Sequence, residues 1–378
     1  MPRAAPVFAA LAACAAVCLH WPPALAAVNA DADALPLDIA TDSAQPLPST
    51  PLRLLLQGLP GGECMPALDR VQRDADGIVV RLQQRFGCEA SATASETLSI
   101  EPPGNPRWGA TGVQRVRVED DGGPAGAARL LGFRLVQVGA PARTVNPEAG
   151  YWWHERGGEF VAGGPGLGLS MERQDDTLSV TVLGYAEDGR PEWLFGAGTI
   201  SGNVAHVRLS RLEGGSGPFD AYAAPGNTQP VGVLDLEFSS ASRAVAWFQR
   251  PLRSGGITLV PMSIVRFRFD QQHAHAFRGE WLLAGGSGQG SDGNRPLALR
   301  FVDIEAAAGG GFRLLTEAGE HSLVCELHPA RPNSPPQRCT LTAADGATLA
   351  VFDDAALSRM GGTRADGTPV ALLRRPAD

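Results

Sequence analysis

The chain has 378 residues, a formal charge of −8, and 32 basic residues that are all arginine. It shows no basic patch interleaved with aromatics, which argues against nucleic acid as a partner, and no segment approaches the roughly 20 apolar residues of a transmembrane helix. With 46 Gly and 30 Pro, many Asp-Gly turns and little helical periodicity, it reads as an all-β protein too long for one small core.

Residues 1–26 read as a secretory signal. Arg3 forms the n-region, Ala4 to Leu19 is apolar, and Ala24-Leu25-Ala26 is an A-x-A site with cleavage after Ala26. Leu11-Ala12-Ala13-Cys14 offers an alternative, a lipoprotein anchored through Cys14. Either reading exports the protein, to the periplasm or beyond the cell. Cys14 and Cys18 go with the signal, leaving Cys64, Cys88, Cys325 and Cys339. An even number in an exported chain predicts two disulfides, and local pairing gives Cys64–Cys88 and Cys325–Cys339. The competing zinc site lacks a C-x-x-C spacing.

Residues 27–50, rich in Ala, Asp, Ser and Pro, read as an exposed leader or linker. Residues 51–140 carry several short strands, a turn at Asp76-Gly77, and Cys64 with Cys88; they predict an immunoglobulin-like sandwich. Pro66 beside Cys64, and the missing tryptophan of the third strand, make it an atypical one. Pro141 to Pro147 is the joint.

Residues 147–270 form a central module of roughly six to eight antiparallel strands, a small barrel or curled sheet. Its hairpin is the clearest in the chain: Thr177 to Ala186, then Asp188-Gly189, then Pro191 to Gly198. A two-residue turn there pairs Ala186 with Pro191, Gly184 with Trp193, Val182 with Phe195 and Val180 with Ala197. That row is apolar and predicts a core face with Trp193 buried in it. Farther on, Gly232, Leu234, Leu236 and Phe238 share one face, and Val265, Phe267 and Phe269 lie opposite Arg266 and Arg268. Residues 277–376 read as a further β module, which opens with Gly279-x-Trp281 much as Gly150-x-Trp152 does and so fits a divergent repeat. Its Asp345-Gly346 turn pairs Thr342 with Leu349 and Leu341 with Ala350.

Gly150, Trp152, Trp153, Asp188, Gly189, Pro191 and Trp193 carry a resemblance. Their order is similar to a GxWWNPxESGxG … DxxGxPxWY module of secreted Gram-negative bacterial proteins whose activity is uncharacterised. The likeness covers roughly residues 147 to 270. It implies a secreted β-module and no particular reaction. His154-Glu155-Arg156-Gly157-Gly158 stands where Asn-Pro-x-Glu-Ser-Gly is usual.

Candidate chemistry is sparse. The Gly163–Gly168 and Gly285–Gly290 runs precede no helix with Lys-Ser/Thr, so they are ordinary loops and not phosphate cradles. No G-x-S-x-G elbow occurs. His273 and His275 form half of a metal site that needs a third ligand such as His154 or Asp270; the plainer reading is a solvated linker, and neither metal nor cofactor is expected. His154, Glu155, Glu159 and Glu172 lie near the aromatics, where a glycosidase would hold paired carboxylates. Tyr151 and Trp153 fall on one face and Trp152 on the other, so one side is core. The other is free to serve as a platform for a saccharide or small apolar ligand, with Tyr151, Trp153, His154 and Glu155 as its candidate residues. The reading is an exported protein with a binding or structural role and no identifiable catalytic residue. A secreted carbohydrate-active hydrolase is the alternative.

Overall fold

The computed structural model describes residues 35–85, 87–88, 91–122, 127–186, 188–252, 255–268, 274–285, 296–331 and 334–375, without the side chains of 91–95. The signal sequence, its Ala26 cleavage point, the Cys14 alternative, Asp270 and His273 lie outside these residues. Among them, no helix is long and apolar enough to cross a membrane.

The first seven strands are β1 (Asp38–Thr41), β2 (Leu54–Gly61), β3 (Ala67–Asp74), β4 (Gly77–Gln83), β5 (Ser91–Ile100), β6 (Gly112–Asp120) and β7 (Arg129–Val138). Alternation sends Ile78, Val80 and Leu82 of β4, and Val116 and Val118 of β6, onto one face. They meet Ile39, Leu54 and Leu56 from the other sheet, with Trp108 sealed in the same core. The result is a sandwich of sheets β1-β2-β5 and β3-β4-β6-β7.

β4 and β6 run parallel, Ile78 beside Val116, because the chain crosses into the opposite sheet at β5 and returns in the same direction. Immunoglobulin sheets are antiparallel, so the sandwich holds but that strand order does not. Cys64–Cys88 does form, yet it is half-buried at the rim, where it joins the short turn after β2 to the loop before β5. The leader reading also fails from residue 35 onward: Leu37 and Ile39 are buried in the sandwich core and β1 pairs with β2.

The next eight strands are β8 (Gly150–His154), β9 (Gly168–Gln174), β10 (Thr177–Tyr185), β11 (Pro191–Ser201), β12 (Val204–Glu213), β13 (Asn227–Ser240), β14 (Arg243–Pro251) and β15 (Ile257–Arg266). Each pairs antiparallel with the next and β15 pairs back to β8, closing a barrel. Eight strands leave an interior that side chains just fill, here with Trp152, Leu169, Val180, Leu236, Phe238 and Ile264.

The hairpin register differs from the expectation by one residue. Ala186 N–H donates to the Arg190 carbonyl (2.9 Å) and Gly189 N–H to that of Ala186 (2.9 Å). Gly189 is left-handed, φ 80°. The loop therefore has one residue more than a two-residue turn, the type I turn with a glycine bulge. Leu183 now pairs with Trp193, Val182 with Leu194 and Thr181 with Phe195. A slip of one exchanges the faces, so Trp193 and Phe195 point outward and Trp193 is not a core residue.

The last eight strands are β16 (Gly279–Ala284), β17 (Leu297–Ala306), β18 (Phe312–Thr316), β19 (His321–Glu326), β20 (Arg338–Ala343), β21 (Thr348–Ala355), β22 (Arg359–Thr363) and β23 (Pro369–Arg374). They close a second barrel in the same sequential order. Cys325 and Cys339 are cross-strand partners on β19 and β20, fully buried and bonded. At Asp345-Gly346 the same bulged loop recurs. Thr342 pairs with Thr348 and not with Leu349, and a second irregularity restores Leu341 opposite Ala350.

Both barrels close on one device. Trp152 Nε1–H donates to the Glu148 carbonyl (3.0 Å) and Trp281 Nε1–H to the Phe277 carbonyl (2.9 Å). Trp152 pairs with Arg266 at the end of its barrel's last strand, and Trp281 with Arg374 at the end of its own. Gly150 and Gly279 share φ 116°; at Gly150 a Cβ would lie 2.3 Å from the Arg266 guanidinium.

Sandwich and barrels pack into one unit. Phe133 and Leu135 of β7 meet Val204, Trp247 and Ile257 on the outer wall of the first barrel. The edge strand β7 is satisfied there by barrel side chains. Gln249 accepts from Phe133 N–H (3.0 Å) and donates to its carbonyl (2.9 Å), while buried Asp235 accepts from Gln249 (2.7 Å). The second barrel is held by Asp354, which accepts from Ala241 N–H (2.7 Å), and by Glu148, which accepts from Ser358 N–H (2.7 Å).

Candidate functional site

Pairing across four strands aligns one outward row, Trp153, Gly168, Leu183 and Trp193, with Val265 beside Trp153. The adjacent row runs Tyr151, Ser170, Thr181 and Phe195. Phe267, just past β15, donates to the Tyr151 carbonyl (2.7 Å). Tyr151, Trp153 and Phe267 form one cluster, with ring centroids 5.5 to 6.3 Å apart. Exposure rises away from it: Leu183 39%, Phe195 40%, Trp193 48% and Tyr185 62%. The sandwich covers another part of this barrel's wall, and among the described residues Leu183, Tyr185, Trp193 and Phe195 stay exposed beside it. The face is thus exposed at its Leu183–Trp193 end and partly or fully buried at its Trp153–Val265 end.

The glycine run 163–168 has its role here. A Cβ on Gly168 would sit 2.0 Å from the Tyr151 hydroxyl, and one on Gly166 would sit 2.6 Å from the Tyr185 ring. Glycine lets both tyrosines lie flat against backbone. Ser170 and Thr181 put hydroxyls between the rings. Four arginines near the face are engaged, while Arg156, beside His154, is exposed. Arg190 pairs with Asp188 (2.6 Å) and Arg211 with Glu192. Arg173 donates to Asn146 Oδ1 (2.6 Å), and Arg266 donates to the Ala149 and Tyr151 carbonyls (2.8 and 3.1 Å).

Of the residues singled out in the sequence, Tyr151 and Trp153 belong to this face. His154 shares the inward parity of Trp152 and packs on the Trp153 ring (5.4 Å). Burial, aided by the Arg156 charge, holds its pKa below the ordinary value, so it is neutral near pH 7. Glu155 is a correction: it is only 7% exposed and bridges Arg331 of the second barrel (3.2 Å) and Arg243 (3.6 Å). It is a junction residue and no part of the aromatic face. Glu159 is exposed in the loop, and Glu172 lies on the outer face of β9 opposite Ser179. His275 opens a short turn before Phe277. Among the described residues no three His, Cys, Asp or Glu side chains are grouped to hold a metal. A cleft of about 300 Å³ lies outside both barrels, where the sandwich meets the first, lined by Gln45, Thr144, Val145, Arg173, Asp176 and Ile200 among others.

Of the exposed residues, Leu183 and Tyr185 are not among the sequence candidates, and Trp193 and Phe195 are expected from the sequence in the core. Their signal was present: β10 is apolar in both parities near its end, which a strand with one solvated face does not need. Comparison with known proteins adds nothing further. No protein-family model matches the chain, and no curated protein matches it.

Proposed function

We propose that this is an exported, non-catalytic binding protein whose first barrel offers the Tyr151–Trp153–Trp193 face to a saccharide. The observation that carries the reading is a two-row aromatic face with hydroxyls between the rings, laid over a filled barrel. Aromatic faces stack on the C–H side of a sugar while neighbouring hydroxyls meet its edge. Two disulfides suit an oxidising compartment, and the resemblance to secreted Gram-negative modules points the same way, to periplasm or extracellular space. A hydrolase is less well supported, because buried Glu155 is held between two arginines and so is withdrawn from any carboxylate pair with Glu172.

Native gels cast with neutral polysaccharides test this. The exported protein should be retarded, and Trp153→Ala and Trp193→Ala should migrate freely. A concentration-dependent dimer that Trp193→Ala abolishes, with no retardation in any gel, would instead make this a protein–protein face. Release of reducing sugar, lost in Glu172→Gln, would favour the hydrolase.

A further inference from the structure

The hairpin between β12 and β13 continues past the turn that joins β10 to β11. Its last rungs are Leu212 with Thr228 and Glu213 with Asn227, and residues 214–226 form the tip. The tip is ordered by its own bonds. Ser216 N–H donates to the Ala223 carbonyl (3.2 Å), and Ala223 N–H to Ser216 Oγ (3.0 Å). Asp220 N–H donates to the Gly217 carbonyl (3.2 Å), closing a turn with Pro218 at its second position, where proline is favoured. That turn holds Phe219 at 100% exposure, and Tyr222 follows at 87%. Neither ring stabilises the fold, since neither is buried against it, and a solvated aromatic forfeits most of the free energy it would gain from burial.

The tip's location relates the two rings to the aromatic face. β11 and β12 pair through Phe195 and Ser210, and Arg211 bonds Glu192, the neighbour of Trp193. The arm thus rises from the Trp193 end of the face. From Trp153 to Trp193 is three strand spacings, about 14 Å; the arm continues from the neighbouring strand, beyond that row along the strand direction. Asp220 and Glu213 are the acidic groups of the arm and its base, and Arg173, Arg190, Arg211 and Arg266 are already paired or hydrogen-bonded; the exposed Arg156 lies at the opposite, Trp153 end of the face. An anionic ligand would meet acid here and no uncommitted cation among Arg173, Arg190, Arg211 and Arg266.

Building on the saccharide reading, we propose that Phe219 and Tyr222 are two further binding residues, which extend the face into a site for an extended, neutral glycan chain. Short oligomers occupy the barrel face; longer ones also reach the arm. The test is calorimetry on the full exported chain with cellobiose, cellohexaose, the matching chitin oligomers and an oligogalacturonate. The wild type should bind one neutral hexamer roughly tenfold or more tightly than its dimer and leave the oligogalacturonate unbound. The F219A/Y222A double variant should bind the hexamer only as tightly as the dimer, with dimer affinity and thermal unfolding unchanged. Trp193→Ala should weaken both. If F219A/Y222A keeps wild-type affinity for both lengths while Trp193→Ala fails, the arm inference is wrong and the face reading stands. Equal loss of dimer and hexamer in F219A/Y222A also contradicts the extension, as does preferred binding of the oligogalacturonate. If the wild type binds neither neutral series, both readings fall.

Discussion

Trp152 is fully buried and bonded through its indole to the Glu148 carbonyl, whereas Trp153, the next residue, lies on the outer wall among Tyr151 and Phe267. Replacing Trp152 by alanine should cost roughly 3 to 5 kcal/mol, as for other buried aromatics. Trp193→Ala, at a half-exposed position, should stay within about 0.5 kcal/mol of wild type. Urea unfolding of the two variants checks both values, and a large loss in Trp193→Ala would return that side chain to the core. Strand alternation is legible in the sequence, so the opposite facing of Trp152 and Trp153 could be read from GYWWH. The assignment of Trp193 could not, because Asp188-Gly189 fits a two-residue turn and a three-residue bulged one equally well. One residue in the loop decides which face is inside.

The same loop recurs as an element. At Asp188, Asp345 and Asp366 a carboxylate oxygen accepts from the N–H two residues on (3.1, 2.9 and 2.9 Å), and the following glycine is left-handed. Gly346→Ala should therefore destabilise the second barrel by roughly 1 to 2 kcal/mol, the cost of a left-handed alanine, as read from its unfolding midpoint. On the strand that leads into that turn, Cys339 of β20 is bonded to Cys325 of neighbouring β19 inside the barrel. Replacing both by alanine should cost about 3 kcal/mol on the chain-entropy estimate for so short a loop. No measurable loss would mean that the bond is incidental to a core already specified by Leu314, Leu341 and Phe352. Both disulfide partners could be read from cysteine count and spacing. The parallel β4–β6 pair could not, since nothing in Ile78–Leu82 or Val116–Asp120 records which way the distant partner runs.

At the scale of the molecule, the sandwich docks on the first barrel through a charged cluster as well as through Trp247 and Phe133. His206 lies 3.1 Å from buried Asp235 and 3.5 Å from Asp38, and Arg208 also pairs with Asp38. The His206 ring, with Arg208, holds Asp38 down to about 2, although burial opposes this. Burial also works against charge on His206, but Asp235 and Asp38 outweigh it and raise its pKa. The Asp38 contribution is complete above its ordinary value of 3.8 and is lost as pH falls through about 2. That of His206 is complete below 6.5 and is lost as pH rises through its raised value. The docked unit should be most stable between these limits, and His206→Gln should flatten the alkaline limb of melting temperature against pH. An unaltered alkaline limb would remove His206 from the account. None of this long-range docking shows in local pattern, because it joins residues such as Asp38 and Arg208 far apart in the chain. Among the described residues the docking leaves the Leu183–Trp193 end of the aromatic face exposed on the first barrel, and the claim that this face binds is tested most directly by the affinity of Trp193→Ala for cellohexaose and chitohexaose beside that of the wild type. The account predicts that the wild type binds one of the two and that Trp193→Ala weakens that binding at least tenfold. Equal binding by both proteins, or none by the wild type, would contradict it.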